Sequence, residues 1–417
     1  MKAAFVTLGC KLNYAETATY ERAMMRAGMQ VVPWQQEADV YVVNTCSVTA
    51  RSDQKSRSEI RKLHRLHPGA LIAVTGCSAQ LRREEIQAID GVSFVFGSDA
   101  KSALVPTVLS ALGLEGPDAS LPAHKGFFAA HSSGEDRTRA FLKVQDGCDN
   151  WCAYCTVPMA RGRSRNIPVA ELVCQARQIA ASGVREIVLT GVNTGDFGRS
   201  SGETFLDLLK ALDKVEGIER YRISSIEPNL ITTETVDWIA AGSKVAPHFH
   251  IPLQSGSDEI LRRMGRRYTT DQFLERINYI RERLEKPGVP KVFFGIDVMA
   301  GLPGETDGLF EQGCAFIEKV HPAFIHVFPY SRRPGTRAAL MPDQVRDSVK
   351  TMRVKRLEEL CARLHEEFVR SNKGLTDKVL FESTIRDGMI SGYTGNYIRV
   401  SRPWDPSLIG KFVDIIL

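Results

Sequence analysis

The sequence predicts an α/β chain in three parts: an N-terminal parallel-sheet α/β unit, a central partial (β/α)6 barrel, and a small all-β module at the C-terminus. Three observations lead there. Short β-branched apolar runs alternate with helical stretches to about residue 115. Six further strand candidates follow, each succeeded by a helical stretch or a Gly/Pro-rich loop. From about Gly374 the pattern changes to short strands broken by Gly and Asp, without a good helix.

In the first unit, residues 1–115, the runs "AAFVTLG", "ADVYVVNT", "ALIAVTG" and "VSFVFGS" suit buried parallel strands. Residues 14–28 and 48–67 read as helices between them. Residues 116–138 are rich in Pro, Gly, Ser and charge, the composition of a linker. Across 139–370 the strand candidates are "AFLKVQ", "EIVLTG", "RYRISSI", "PHFHIPL", "VFFGIDVMAG" and "FIHVFPYS". Six such repeats make a barrel open on one side, closed by the helical stretch after Pro342. The last module, 374–417, is too small for a large core of its own and is expected to lean on the rest of the chain.

Composition narrows the function classes. Hydrophobic residues at 43% and charged residues at 25% exclude a disordered or low-complexity chain, and no apolar run approaches a membrane span. Nine cysteines without a secretory signal suit a reducing, cytoplasmic setting, where thiols bind metal or do chemistry more often than they pair. Net charge is a mild +5, but it is clustered: Arg51–Arg65, Arg161/Arg163/Arg165, Arg262/Arg263/Arg266/Arg267 and Arg332/Arg333/Arg337. Such groups are ordinary as solvated faces; several beside candidate site loops favour a polyanionic substrate.

Two cysteine trios carry the chemistry. Cys10, Cys46 and Cys77 each end an apolar strand with a polar lead-in ("TLGC", "NTC", "TGC"). Carboxyl ends of strands in an open parallel sheet line one crevice, so three thiolates would converge there as an iron–sulfur cradle, against a reading as three unrelated core cysteines. Cys148, Cys152 and Cys155, spaced x3 and x2, follow the first barrel strand, on the face where barrel chemistry sits. Three thiolates hold three irons of a [4Fe–4S] cluster and leave the fourth open to a chelating small molecule. Zinc would need a fourth ligand, and no His or Cys stands at short spacing after Cys155. Cys174, Cys314 and Cys361 fall within helical stretches and read as packing residues.

The spacing of the second trio, with aromatic Tyr154 before its last cysteine, resembles the signature of radical S-adenosylmethionine enzymes. The stretches "KVQDGCDNWCAYCTVPMARGRSR", "HIPLQSGSDEILRRMGRRYT", "GLPGET" and "HVFPYSRRPGTRA", with the first trio, look like the methylthiotransferase family of that superfamily. The C-terminal module is similar to that family's TRAM domain, an RNA-binding module. "TLGCKLN", "NTCSVTARSDQKSR" and "VTGCSAQ" look like the branch acting on N6-threonylcarbamoyladenosine in tRNA. The branches acting on N6-isopentenyladenosine or on a ribosomal-protein aspartate remain alternatives, as does a non-catalytic RNA-binding metalloprotein.

The resemblance implies two [4Fe–4S] clusters, one on each trio, and two uses of S-adenosylmethionine. One molecule methylates sulfur held at the first trio. Another is reductively cleaved at the second trio, giving a radical that activates carbon 2 of the adenine ring. Tyr154 would pack beside the cofactor's adenine. Gly191 and Asn193 are candidates for its methionine end, and Gln254 and Ser255 for its ribose or carboxylate; ordinary turn roles compete at all four. His248 and His250 read as barrel interior. For RNA the candidates are Arg161, Arg163, Arg165, Arg332, Arg333, Tyr393 and Arg399, against a reading of Tyr393 as packing for a small β core. The expected partners are the tRNA anticodon stem-loop, a reductant protein and a sulfur donor, with the chain a monomer and no membrane association.

Overall fold

The computed structural model describes residues 1–114, 123–124, 126–132 and 138–417. Most of the expected 116–138 linker lies outside the described residues.

The first unit is a five-stranded parallel sheet of β1 (Lys2–Thr7), β2 (Gln30–Val32), β3 (Val40–Thr45), β4 (Leu71–Gly76) and β5 (Val92–Val95), in the order β2-β1-β3-β4-β5. Helices α1 (Lys11–Arg26), α2 (Ala50–Leu66), α3 (Cys77–Leu81), α4 (Arg83–Gln87) and α5 (Leu104–Ala111) cover it. The central strand β3 is buried at every position, which is why "VYVVNT" reads as a continuous apolar run rather than an alternating one. Tyr20, Met24, Leu104 and Val108 fill one face; Ile60, Leu63 and Ile86 fill the other. Thr49 caps α2, its Oγ1 accepting the Ser52 N–H at 3.1 Å.

After the short hairpin β6 (Ala123–His124) and β7 (Phe127–Phe128) comes the barrel. Its strands are β8 (Arg139–Lys143), β9 (Glu186–Thr190), β10 (Arg220–Ile223), β11 (His248–His250), β12 (Phe293–Ala300) and β13 (Phe324–Pro329). They form two parallel three-stranded ladders, β10-β9-β8 and β11-β12-β13, joined by the bridges Tyr221↔Val245 and Ser225↔His250. The helices are α6 (Val157–Arg161), α7 (Val169–Ala181), α8 (Phe205–Asp213), α9 (Thr233–Ala240), α10 (Asp258–Arg263), α11 (Thr270–Leu284), α12 (Asp307–Val320), α13 (Arg337–Leu340) and α14 (Asp347–Ser371). Among the described residues no ladder joins β8 to β13, so the barrel is open there; α1 packs against β8 and α14 against β13. On α7 the core takes Leu172, Ala176 and Ile179, which turns Cys174 outward: it is exposed, contrary to its expected packing role, whereas Cys314 and Cys361 are buried.

The C-terminal sheet is antiparallel: β14 (Thr376–Arg386), β15 (Met389–Tyr393), β16 (Arg399–Pro403) and β17 (Phe412–Ile416), in the order β16-β15-β14-β17. Its own core is small, around Val379, Phe381, Ile390 and Ile415. It leans on the barrel through buried polar contacts. Arg222 donates to the Gly395 and Thr394 carbonyls at 2.7 and 2.6 Å, and Arg220 to the Lys378 carbonyl at 2.5 Å. Buried Glu186 offsets both guanidinium charges.

Candidate active site between two cysteine trios

Because β1, β3 and β4 are sheet neighbours, the residues after them arrive side by side. Cys10 precedes α1, Cys46 follows β3, and Cys77 opens α3. Gly9 makes their approach possible: its φ is +106°, and a Cβ there would stand 2.7 Å from Cys46 Cβ. Asn13 Nδ2 ties the loops together, donating to the Leu8 and Thr45 carbonyls at 2.7 and 3.0 Å. Burial pushes the Cys46 thiol up to about 11, with Cys77 and Cys10 adding to it; burial also raises Cys77. These thiols are protonated until a cation takes the proton's place.

The second trio lies on the loop after β8. Gly147, at φ +72°, packs where a Cβ would overlap the Arg163 carbonyl. The backbone N–H groups of Asn150 and Val157 point to Cys148 Sγ and Cys155 Sγ, each at 3.4 Å, and Arg266 Nη1 to Cys152 Sγ at 3.2 Å. Burial raises the Cys148 and Cys155 thiols to about 11 and about 12. Donors aimed at three sulfurs are the surroundings an iron–sulfur cluster requires.

A cavity of about 340 Å³ brings the trios together: its wall includes Cys77 of the first with Cys148, Cys152 and Cys155 of the second. Tyr154, Asn193 and Gln254 face it as well. Gly191 and Ser255 do not. Gly191 packs against Gln145 and Thr194, and the neighbouring Val192 and Asn193 N–H groups are taken by Gln145 Oε1 at 2.9 and 3.0 Å. Ser255 is buried behind the wall against α12, because Gln254 at φ +70° turns the chain between them. Sequence reasoning missed an ion pair at the cavity: Arg266 Nη2 lies 2.8 Å from Glu227 Oε1, and Asn150 Nδ2 donates to Glu227 Oε2 at 2.8 Å. The buried Asn193 Nδ2, Tyr330 hydroxyl and Arg333 Nε on this wall find no partner among the described protein atoms. Three thiols with donors aimed at them, beside a pocket with unspent polar atoms, fit a cluster with an open iron and a polar chelating cofactor.

The two trios are held in register by buried charge. Arg161 Nη1 lies 3.1 Å from Glu16 and 2.9 Å from Asp146, while Lys101 and Lys143 reach Glu16 at 2.7 and 2.9 Å. Arg333 pairs with buried Asp53 and donates to Ser47 Oγ at 2.8 Å. Arg161 and Arg333, expected at RNA, are therefore buried interdomain residues, 3% and 4% exposed, and their charge is spent within the protein. Arg163, Arg332 and Arg399 are exposed and Arg165 is half-buried. Tyr393 stacks on Tyr397 at 4.9 Å and lies under the Arg139 guanidinium, so its ring is committed to packing.

A (β/α)6 barrel carrying an open-sided cysteine trio on the loop after its first strand defines a radical S-adenosylmethionine fold. Known proteins agree. Residues 142–317 match the radical SAM superfamily and residues 2–97 the uncharacterized protein family UPF0004. A threonylcarbamoyladenosine tRNA methylthiotransferase MtaB of Bacillus subtilis (strain 168) is 39% identical, with 99% of this chain and 92% of that protein covered. A tRNA-2-methylthio-N(6)-dimethylallyladenosine synthase of Citrifermentans bemidjiense is 34% identical, with 98% and 94% covered. Among solved structures, the radical S-adenosylmethionine methyltransferase TsrM of Kitasatospora setae shares the fold at TM-score 0.58 and 14% identity, covering 92% of this chain and 79% of that one. The chain belongs to the radical S-adenosylmethionine methylthiotransferase family. No helix among the described residues is long and apolar enough to cross a membrane.

Proposed function

We propose that this protein adds a methylthio group to carbon 2 of N6-threonylcarbamoyladenosine next to the anticodon of tRNA, with S-adenosylmethionine and two [4Fe–4S] clusters as cofactors. The observation that carries the reading is the cavity that Cys77 of the first trio and all three cysteines of the second line together. The relatives named for threonylcarbamoyladenosine include the 39% identical one, against 34% for a dimethylallyladenosine relative.

In this reading residues 1–115 hold the auxiliary cluster on Cys10, Cys46 and Cys77, and residues 139–370 hold the radical cluster on Cys148, Cys152 and Cys155. Residues 374–417 form a TRAM-like module. The bound cofactors supply reductive C–S cleavage and sulfur transfer, chemistry no side chain offers. The protein's own residues prepare that site. Arg266 donates to Cys152 and balances Glu227 on the cavity wall. Asn193 Nδ2 and the Tyr330 hydroxyl offer polar contacts to S-adenosylmethionine, Tyr154 lies against its adenine, and Gln254 contacts it from the strand end. Met299 and Val157 on the cavity wall keep water away from the reacting carbon. Exposed Arg163, Arg332 and Arg399, with Arg165, grip the phosphates of the anticodon loop. The protein works in the cytoplasm as a monomer, served by a reductant protein and a sulfur donor.

Mass spectrometry of bulk tRNA nucleosides from a deletion strain tests the reading. Loss of the methylthio form of threonylcarbamoyladenosine is expected, and unchanged tRNA overturns it.

A further inference from the structure

A second, larger cavity of about 700 Å³ occupies the barrel lumen, bounded by the strands, by the C-terminal sheet and by the start of α1. It meets the cysteine-lined cavity at one side-chain pair. Asp297 faces the cysteine side, and its hydrogen-bond partner His250, at 2.8 Å, faces the lumen. The lumen is strongly cationic, yet most of that charge is already matched. Arg139 is paired with Glu382 on its wall and with Glu186. Arg222 spends every nitrogen on Glu186 and two backbone carbonyls. Arg399 has no acid beside it among the described residues, but its Nη2 is held by Ser391 Oγ at 2.9 Å.

Lys11 is different. It follows Cys10 directly, at the first position of α1, and its side chain lies open to the lumen. No hydrogen-bond or ion-pair partner stands beside it among the described residues. Asp297, beyond the lumen wall on the cysteine side, is tied to His250, and Arg222 and Arg139 repel the Lys11 ammonium. Lys11 is exposed to the open lumen, so its ammonium is free to meet the carboxylate of a ligand that enters there.

We infer that the lumen is the subsite for the N6 substituent of the modified adenosine, and that Lys11 pairs with the carboxylate of that substituent. This rests on the proposed function, because threonylcarbamoyladenosine carries a carboxylate on its N6 arm where an isopentenyl arm is uncharged. Lys11 thereby becomes a specificity-determining residue. Its position beside Cys10 anchors the arm next to the trio from which sulfur is delivered. A neutral arm in the same lumen leaves the ammonium unmatched, so discrimination arises from the unpaired charge as well as from the pair formed.

The test compares anticodon stem-loops bearing either threonylcarbamoyladenosine or its carboxylate methyl ester. The reconstituted full-length enzyme is assayed for kcat/KM and, with S-adenosylmethionine present, for Kd by fluorescence anisotropy. The wild type should prefer the acid by about tenfold to a hundredfold in both measures. Lys11→Gln should bring the acid-to-ester ratio close to one, and Lys11→Arg should restore it. A merely structural Lys11 would lower both substrates together and leave the ratio alone. Lys11→Met, which keeps the aliphatic stem, replaces Lys11→Gln if the latter holds less iron. Equal acid and ester values in the wild type, or an unchanged ratio in Lys11→Gln, overturn the inference while the proposed function stands. Wild-type activity on isopentenyladenosine loops and none on threonylcarbamoyladenosine overturns both.

Discussion

Arg161 and Glu16 meet at 3.1 Å, buried, across the junction between the two cysteine-bearing domains. Arg161 ends the helix that follows Cys155, and Glu16 lies on the helix that follows Cys10. One ion pair thus couples the two trios. Burial alone would raise the Glu16 carboxyl, but Lys101, Lys143 and Arg161 outweigh it and hold it well below the usual carboxylate range. Glu16→Gln leaves three buried cations with Asp146 as their remaining carboxylate. The expected loss is about 3–5 kcal/mol of unfolding free energy, read by urea denaturation at pH 7. The sign with pH follows: Glu16 stabilises the fold above its unfolded pKa, and that contribution fades as acid protonates it. The variant should therefore lose less stability than the wild type between pH 5 and pH 3.

His131 gives a second pH signature at a milder acidity. Burial first, and then neighbouring Arg22, push its imidazole down to about 4. The folded protein thus keeps His131 neutral while the unfolded chain protonates it near 6.5. Stability from this residue is complete above the unfolded value and falls as pH drops from there toward 4. Between pH 7 and pH 5 the wild type should lose about 2 kcal/mol more than His131→Gln, read by urea denaturation at each pH.

The fold was legible because strand and helix signals here agree with burial. "VYVVNT" and "EIVLT" are continuous apolar runs, and both are fully buried parallel strands. The trios were legible because the end of a parallel strand is a fixed place in such a sheet. What failed were side-chain destinations that depend on distant sequence. "RGRSR" gives no sign that Arg161 meets Glu16, 145 residues away. Ser255 resembled its neighbour Gln254, but the left-handed backbone at Gln254 sends the two to opposite sides of the wall. Glu227 was overlooked, and Arg266 counted only as one of a basic group, because each is an ordinary charged residue in a loop; only their pairing beside Cys152 marks them.

Arg266 should set the reduction potential of the cluster proposed at the second trio. Its Nη1 donates to Cys152 Sγ at 3.2 Å, and a donor at a ligand sulfur stabilises the more negative, reduced state. Arg266→Met removes that donor and leaves Glu227 nearby without its cation. Both changes make reduction harder. The midpoint potential, followed by electron paramagnetic resonance in a redox titration, should shift negative, and S-adenosylmethionine cleavage should slow with it.

The two trios should also separate functionally. Cys148→Ala is expected to abolish S-adenosylmethionine cleavage. Cys46→Ala should retain abortive cleavage, read as 5′-deoxyadenosine by chromatography, while forming no methylthio product. Equal loss of both activities in the two variants would contradict the division.

Two glycines offer the same separation without touching a ligand. Gly9 has φ +106°, and an added Cβ would sit 2.7 Å from Cys46 Cβ and 2.9 Å from its sulfur. Gly147 has φ +72° and packs on the Arg163 carbonyl directly before Cys148. In each case an L side chain is strained by the backbone and blocked by its neighbour, so the local loop must move. Gly9→Ala should displace Cys46 and empty the first trio, lowering reconstituted iron from about eight to about four per chain. Cleavage of S-adenosylmethionine should survive in that variant and methylthiolation should not. Gly147→Ala should lose a similar amount of iron but from the second trio, and cleavage should disappear with it. Iron analysis alone cannot tell the two variants apart; 5′-deoxyadenosine formation does, because only the trio beside Arg266 and Asn193 is expected to cleave the cofactor. Full iron content in both would show that neither glycine shapes a cluster loop.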